Sequence, residues 1–485
     1  MVTVQSDSRS TDRERANDHP AVALFAVMWA LAALWHVLGN TLLGSSWSHA
    51  AVVVAVGAVL WRPGAMGPLV ALSTASLITV WEEAPVLGNH WLLVGMVDLV
   101  ILLAASVAAL RRRGNVPEEF ANRVFPAARL CLLGFYAFAS FAKLNSAFFD
   151  RSTSCAVFYF NEATDSVGLS SLQLDGAAWL QWSVIVGTAA VELSIPVLLV
   201  VRRTRHVGVV VGLLFHGVLA IDRTHQFFDF SSVLAALFIL FLPPSAGEWV
   251  AERIGSVRAR LALRNDRLPR WSHVALVAVP TTVGLLVALD EIDAVGALDL
   301  GWWPWNLYLI ACLVATLRYL RQRRPEPERG ALRVHHVVFL LVPLLVVANG
   351  LTPYLELKTA YGWNMYANLR TVDGDSNHFV VRSTLPLTDE QADLVRIIST
   401  DDPALNLYAQ DDYALTWTQL RSYLADRPGV RITYARGNAT VALVHASDQP
   451  ELVEPVPIWR EKLLLFRAVD LESPERCVPL FGPAR

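Results

Sequence analysis

The sequence predicts an all-α polytopic membrane bundle of about 9–11 transmembrane helices with a small C-terminal extramembrane α+β domain. Three observations carry this. Of the 485 residues, 54% are hydrophobic and only 17% charged, against roughly 25% charged in soluble chains. The apolar residues come in blocks, as membrane spans do, instead of being spread through one soluble core. After residue 352 the blocks stop, and polar residues, turn signals and short β-patterns take over.

Residues 1–20 are polar and charged and read as a disordered cytoplasmic tail. The apolar run that follows is too long, and lacks the small-residue cleavage site, for a signal peptide. Residues 21–352 hold apolar runs at 21–43, 49–62, 66–81, 91–110, 124–146, 178–201, 206–221, 228–243, 272–290, 302–319 and 334–352. Several fall short of the roughly 20 residues a crossing needs, so some are tilted, re-entrant or merged. Arginines crowd Arg111–Arg113, Arg202–Arg205, Arg253–Arg270 and Arg318–Arg333. With eleven spans and a cytoplasmic N-terminus, all four segments fall on the cytoplasmic side, as the positive-inside rule requires. Glu82, Glu83, Asp165, Glu291 and Asp293 then lie in the opposite loops. Residues 244–270 mix apolar residues with arginine and predict an amphipathic helix on the inner leaflet.

Residues 353–485 predict an extracytoplasmic α+β domain. HFVVRST (378–384) and VRITYAR (430–436) read as strands, NATVALVHA (438–446) as a hairpin partner, and KLLLFRAVD (462–470) as a further strand. Residues 416–428 read as a helix closed by Pro428.

A net charge of -3 without a basic stripe argues against nucleic-acid binding. There is no Walker loop, dinucleotide-binding glycine fingerprint, CxxC or HExxH, and the four cysteines are scattered, so no metal is expected. Lysine is rare: of 40 basic residues, only Lys143, Lys358 and Lys462 are lysines. That scarcity makes each one informative.

Ionisable residues inside the bilayer cost at least about 2.5–3.5 kcal/mol on insertion scales, so they are functional candidates. His36, Asp98, Lys143, Glu192 and His216 stand out. Lys143 reads either as a cation snorkelling to the interface or as a base. A snorkelling cation could equally be arginine, whereas only lysine can give up its proton, which favours the base. His216 reads equally as a proton-transfer group or a helix-to-helix hydrogen bond. Glu192 could pair with a neighbouring histidine or arginine, and His36 and Asp98 read as structural. Asp222, Arg223, His225 and Asp229 read as solvated loop residues or the rim of a pocket. Cys155 and Cys477 share the oxidising side in this topology, which permits a disulfide; two free thiols are the alternative. Cys131 and Cys312 fall within spans and read as buried and inert.

FAKLNSAFFD (141–150), VELSIPVLLVVRRTRHVGVVVGLLFHGVLA (191–220) and FSSVLAALFILFLPPSAGEW (230–249) occur in that order. With NHWLL (89–93), the segment 352–371 and Asn377-His378, they resemble the HTTM domain shared with vitamin K-dependent γ-glutamyl carboxylase. The likeness covers roughly residues 20–250 well and the rest more loosely, through short motifs. It implies a membrane enzyme in which a lysine deprotonates a reduced quinone. Oxygen then generates a strong base that removes a proton from a glutamate, to which CO2 adds. By position that lysine is Lys143; the preferred reading takes Lys143, His216 and Glu192 as the catalytic residues. The chain departs from the carboxylase in having one lysine before Leu144 instead of two. It also lacks the large lumenal propeptide-binding region, and VILLAASVAAL (100–110) is bare of polar groups but for Ser106. The expected partners are the lipid bilayer and a secreted peptide or protein substrate. Two other readings remain open: a transporter or lipid-binding protein, and a non-catalytic membrane protein whose external domain binds a partner.

Overall fold

The structure, a computed structural model, describes residues 19–39, 46–111, 116–174, 176–225, 227–262, 268–289, 294–471 and 474–477. The tail at 1–18, Arg112, Arg113, Glu291 and Asp293 lie outside them.

The apolar blocks form α1 (Pro20–Gly39), α2 (Trp47–Trp61), α3 (Met66–Glu83), α4 (Asn89–Arg111) and α5 (Val116–Phe141). They continue as α6 (Cys155–Ser166), α7 (Ala178–Val200), α8 (Arg205–Leu219) and α9 (Phe227–Ile239). The last four of the bundle are α10 (Ser245–Ala262), α11 (Leu268–Ala288), α12 (Ala294–Arg323) and α13 (Leu341–Leu351). Pro20–Gly39, Asn89–Leu110, Pro117–Phe141 and Ala178–Val200 are long and apolar enough to cross a membrane.

Burial separates inner from outer helices. α1 is apolar all round and packs against α2, α9, α10, α11 and α12, so it forms the axis of the bundle. α9 is likewise buried along nearly its whole length. On α7 only Ile185, Ala189, Glu192, Ile195 and Leu199 are buried, a stripe at helical spacing. Its outer face shows Trp179, Val186 and Val197 to the surroundings. An apolar outer face of this kind suits lipid, where each side chain stays out of water without a protein partner.

Arginines converge at one end. Arg205 donates to the backbone oxygen of Glu328, Arg129 to that of Ala331, and Arg202 to that of Pro327. Two of the four arginine-rich segments, Arg202–Arg205 and Arg318–Arg333, thus meet.

Residues 353–392 form an irregular strap over the bundle. The backbone is left-handed at Glu356, Tyr361, Trp363, Tyr366 and Asn368, a conformation non-glycine residues adopt only when their surroundings hold them there. The strap is tied down by Trp363, whose amide donates to Asn89 Oδ1 and whose indole donates to the Val346 carbonyl. A short hairpin, β1 (Thr371–Val372) and β2 (Asp375–Ser376), turns on Asp373-Gly374, both with positive φ, as a tight two-residue turn demands.

A five-stranded antiparallel sheet follows, in the order β6-β5-β3-β4-β7. Its strands are β3 (Leu394–Thr400), β4 (Tyr413–Thr416), β5 (Ile432–Arg436), β6 (Ala439–Leu443) and β7 (Val469–Asp470). α14 (Pro403–Gln410) starts at Asp402, whose carboxylate accepts from the Ala404 and Leu405 amides, and Pro403 needs no N–H partner there. α15 (Trp417–Leu424) is capped by Thr416, and a short α16 (Ile458–Leu463) precedes β7. The sheet and two helices enclose their own core around Val395, Leu405, Leu415, Leu420 and Ile432.

Two strand expectations need correction. HFVVRST is not a strand: His378 Nδ1 accepts from the Val380 and Val381 amides and Nε2 faces the Phe141 carbonyl, so the chain turns round the imidazole. In KLLLFRAVD only Val469–Asp470 joins the sheet. The Leu465 carbonyl accepts instead from Ala360 and the Arg467 amide donates to Thr359 Oγ1, both in the strap.

Cys155 and Cys477 are bonded to each other, across 322 residues, while Cys131 and Cys312 are free. Maleimide should therefore label two thiols per chain in SDS before reduction and four after it; four without reduction would disprove the bond. Cys155→Ser should cost about 2–5 kcal/mol of stability.

Candidate functional site

α5 ends at Phe141, and Lys143 occupies the turn that follows. Its side chain does not snorkel outward. It is 5% exposed and turns into the bundle. Nζ lies 2.8 Å from Glu192 Oε2 on α7, 3.3 Å from the Met365 carbonyl of the strap and 3.4 Å from the Ala139 carbonyl. Three acceptors meet the three donors of an ammonium. Glu192 therefore pairs with lysine, not with the histidine or arginine the sequence suggested. The pair is neutral in total, which is what makes it tolerable in an apolar interior.

His216 stands across the same space, on α8. Its Nε2 is in a short hydrogen bond with the Tyr136 hydroxyl, and its backbone oxygen accepts from Ser231 Oγ. Nδ1 is buried and has no hydrogen-bond partner among the described residues. Tyr136 lies two helical turns before Lys143 on the same face, a spacing that could have marked it in the sequence.

These groups line one cavity of about 130 Å³ that opens to the outside. Its walls are aromatic and apolar, with Phe135, Phe148, Phe160, Phe227 and Phe230 among them. The polar groups Lys143, Glu192, His216 and Tyr136 face this lining, and Tyr159 and Tyr366 close one side. Met365 and Tyr366 come from the strap, and Cys155 also lines the cavity, so the disulfide and strap complete its wall.

Behind that wall lie Arg467 and Glu475, both buried. Burial raises the Glu475 carboxyl from 4.5 to about 7, opposed by Arg467.

A second polar cluster lies where α1 and α3 end and α2, α4 and α9 begin. His36 on α1 places Nδ1 2.9 Å from Asp229 Oδ2 and Nε2 3.0 Å from Glu83 Oε1. His90 Nε2 is 2.7 Å from the same Asp229 oxygen, and His49 Nε2 is 3.0 Å from Glu83 Oε1. His49 Nδ1 is held by Ser46 Oγ at 2.7 Å. The sequence reading missed His49 and His90 as site residues and placed Glu83 in a loop; α3 instead runs through Glu83 and carries it inward. Asp229 is buried within α9, not solvated, because the helix starts two residues before it and packs it inward. Asp222 is also buried, accepting from the Thr224 and His225 amides and pairing with His225 Nδ1 at 2.9 Å. Asp98 accepts from Trp29 Nε1 and Ser73 Oγ, remote from the cavity lining.

Comparison with protein-family models, with curated proteins and with solved structures finds no match to this chain.

Two outcomes follow from this geometry. Glu192→Leu alone strands a buried cation and should lower stability by about 3–5 kcal/mol, whereas Lys143→Met with Glu192→Leu should recover most of it. A double variant no more stable than the single one in thermal unfolding would contradict this. Glu475 has a folded pKa above its unfolded one, so its contribution is complete below pH 4.5 and is lost as pH rises through about 7. Stability should fall across that window by up to about 1.4 kcal/mol per pH unit, and Glu475→Gln should remove this slope.

Proposed function

We propose that this chain is a carboxylase-like membrane enzyme of the HTTM type, in which Lys143 serves as the base toward a reduced quinone. The observation that carries this reading is an amine turned into an apolar, aromatic-walled cavity, held by Glu192 and facing His216. A hydroquinone is a flat apolar ring with hydroxyl groups, and the lining offers aromatic faces for the one and Lys143, Tyr136 and His216 for the other. The unpartnered Nδ1 of His216 is a polar atom suited to a ligand hydroxyl. When bound, a reduced quinone with oxygen would supply the strong base that abstracts a proton from the second substrate.

The residues of the chain have simpler tasks. Glu192 orients Lys143 and keeps the site neutral as a proton moves between them. Lys143 first passes one proton to Glu192, and its neutral Nζ then accepts the ligand hydroxyl proton, leaving ammonium and quinolate; arginine cannot take this role because it does not deprotonate. The aromatic walls exclude water, and the strap covers the site beside Met365.

The topology proposed with this reading has 9–11 spans, eleven in the arrangement that gives a cytoplasmic N-terminus and an extracytoplasmic C-terminal domain. The meeting of Arg202 and Arg205 with residues 327–328 supports one arginine-rich face. The disulfide supports an oxidising side for Cys155 and Cys477. A secreted peptide or protein is the proposed acceptor.

Purified full-length protein in lipid should consume oxygen when given a reduced naphthoquinone. Lys143→Ala and Lys143→Arg should each reduce the rate about 100-fold or more. Equal rates in all three, or none in the wild type, would sink the base assignment and turn attention to a transporter or binding role.

A further inference from the structure

We infer that His36, His90 and Asp229 form a binding site for one divalent first-row transition-metal ion, buried in the bundle next to the cavity. The inference stands whether or not Lys143 acts as a base. The ligand atoms are His36 Nδ1, His90 Nε2 and a carboxylate oxygen of Asp229, all within 4.8 Å of one another. The two nitrogens lie 2.9 and 2.7 Å from Asp229 Oδ2. Donors sharing an ion at about 2.0–2.2 Å stand at comparable separations, so small shifts would admit one.

Hydrogen-bond accounting admits an ion here. His36 meets a carboxylate at each nitrogen, so the ring is either an imidazolium donating to both or a neutral imidazole with a cation on one nitrogen. With a metal on Nδ1, the proton stays on Nε2 and is donated to Glu83. That is the carboxylate–histidine–metal arrangement that orients metal-bound histidines. Glu83 is in turn braced by His49, itself fixed by Ser46. The second triad, His36, His49 and Glu83, is thus the support of the first.

A second observation is independent of these distances. Asp229 Oδ1 is buried and has no hydrogen-bond partner among the described residues, a costly state unless a ligand engages the carboxylate. Two imidazoles and one carboxylate suit Fe(II) or Zn2+ far better than Ca2+ or Mg2+, which want oxygen donors. Three protein ligands leave further positions for water or another oxygen donor. Phe230, the neighbour of Asp229, makes ring contacts with both His90 at 5.9 Å and His216 at 5.0 Å. One aromatic ring therefore separates the site from the cavity. No sequence motif announces it, because His36 and Asp229 are 193 residues apart.

The test uses the full chain in lipid nanodiscs, stripped with a chelator and then loaded anaerobically with Zn2+, Fe2+ or Co2+. Mass spectrometry should find about one ion per chain, and Co2+ should give visible d–d absorption. Loading should raise the Tm of the wild type. Asp229→Asn, which keeps the side-chain shape, and His90→Ala should each weaken binding at least tenfold and abolish the Tm rise. Glu83→Gln should weaken it about 10–100-fold, while Arg431→Ala, at an exposed position of the C-terminal region, should bind as the wild type does. Failure of the wild type to take up a stoichiometric ion from all three solutions overturns the inference without reference to any variant. So does undiminished binding by both Asp229→Asn and His90→Ala; the cluster would then be a proton-sharing network only.

Discussion

The Lys143–Glu192 ion pair is the constraint around which the rest is arranged. Either charge alone in this interior would be prohibitive, and together they are tolerable only if the surrounding groups complete their hydrogen bonds. That requirement fixes three elements at once. α5 must end where Lys143 can turn inward, α7 must present Glu192 on its single buried stripe, and the strap must bring the Met365 carbonyl to the amine. The cavity is the space left between these elements and α8.

The strap explains why the C-terminal region is more than an appendage. It leaves α13, crosses the bundle with left-handed backbone at several bulky residues, and is anchored by Trp363 and by Asn368, which holds the Cys155 amide. The disulfide then joins the far end of the chain to the start of α6. Covalent and hydrogen-bonded ties thus secure the one wall of the cavity that no helix supplies. Burial of Arg467 and Glu475 behind Tyr159 and Tyr366 couples the sheet to that same wall.

Much of the bundle was legible in the sequence because apolar blocks need no long-range information to declare themselves. Lys143 stood out through the rarity of lysine, whereas the Cys155–Cys477 bond was one of two alternatives the sequence left open. The partner of Glu192 was not, since which helices face each other is set by packing rather than by local pattern. β4 went unseen because all four of its residues are buried, which erases the alternation that marks a strand. HFVVRST has strand composition, but a single imidazole reorganises its backbone hydrogen bonds. The His36 cluster was hidden for the same reason as Glu192: five helices each contribute one residue, and no two of them share a motif.

A structure of the full chain in lipid with a bound naphthoquinone analogue, determined by cryo-electron microscopy, tests the central claim most directly. The ring should lie among Phe135, Phe230 and Tyr366, with one oxygen within hydrogen-bond reach of Lys143 Nζ and the Lys143–Glu192 contact in place. An analogue bound elsewhere, or a Lys143 side chain directed out to the lipid surface, would contradict it.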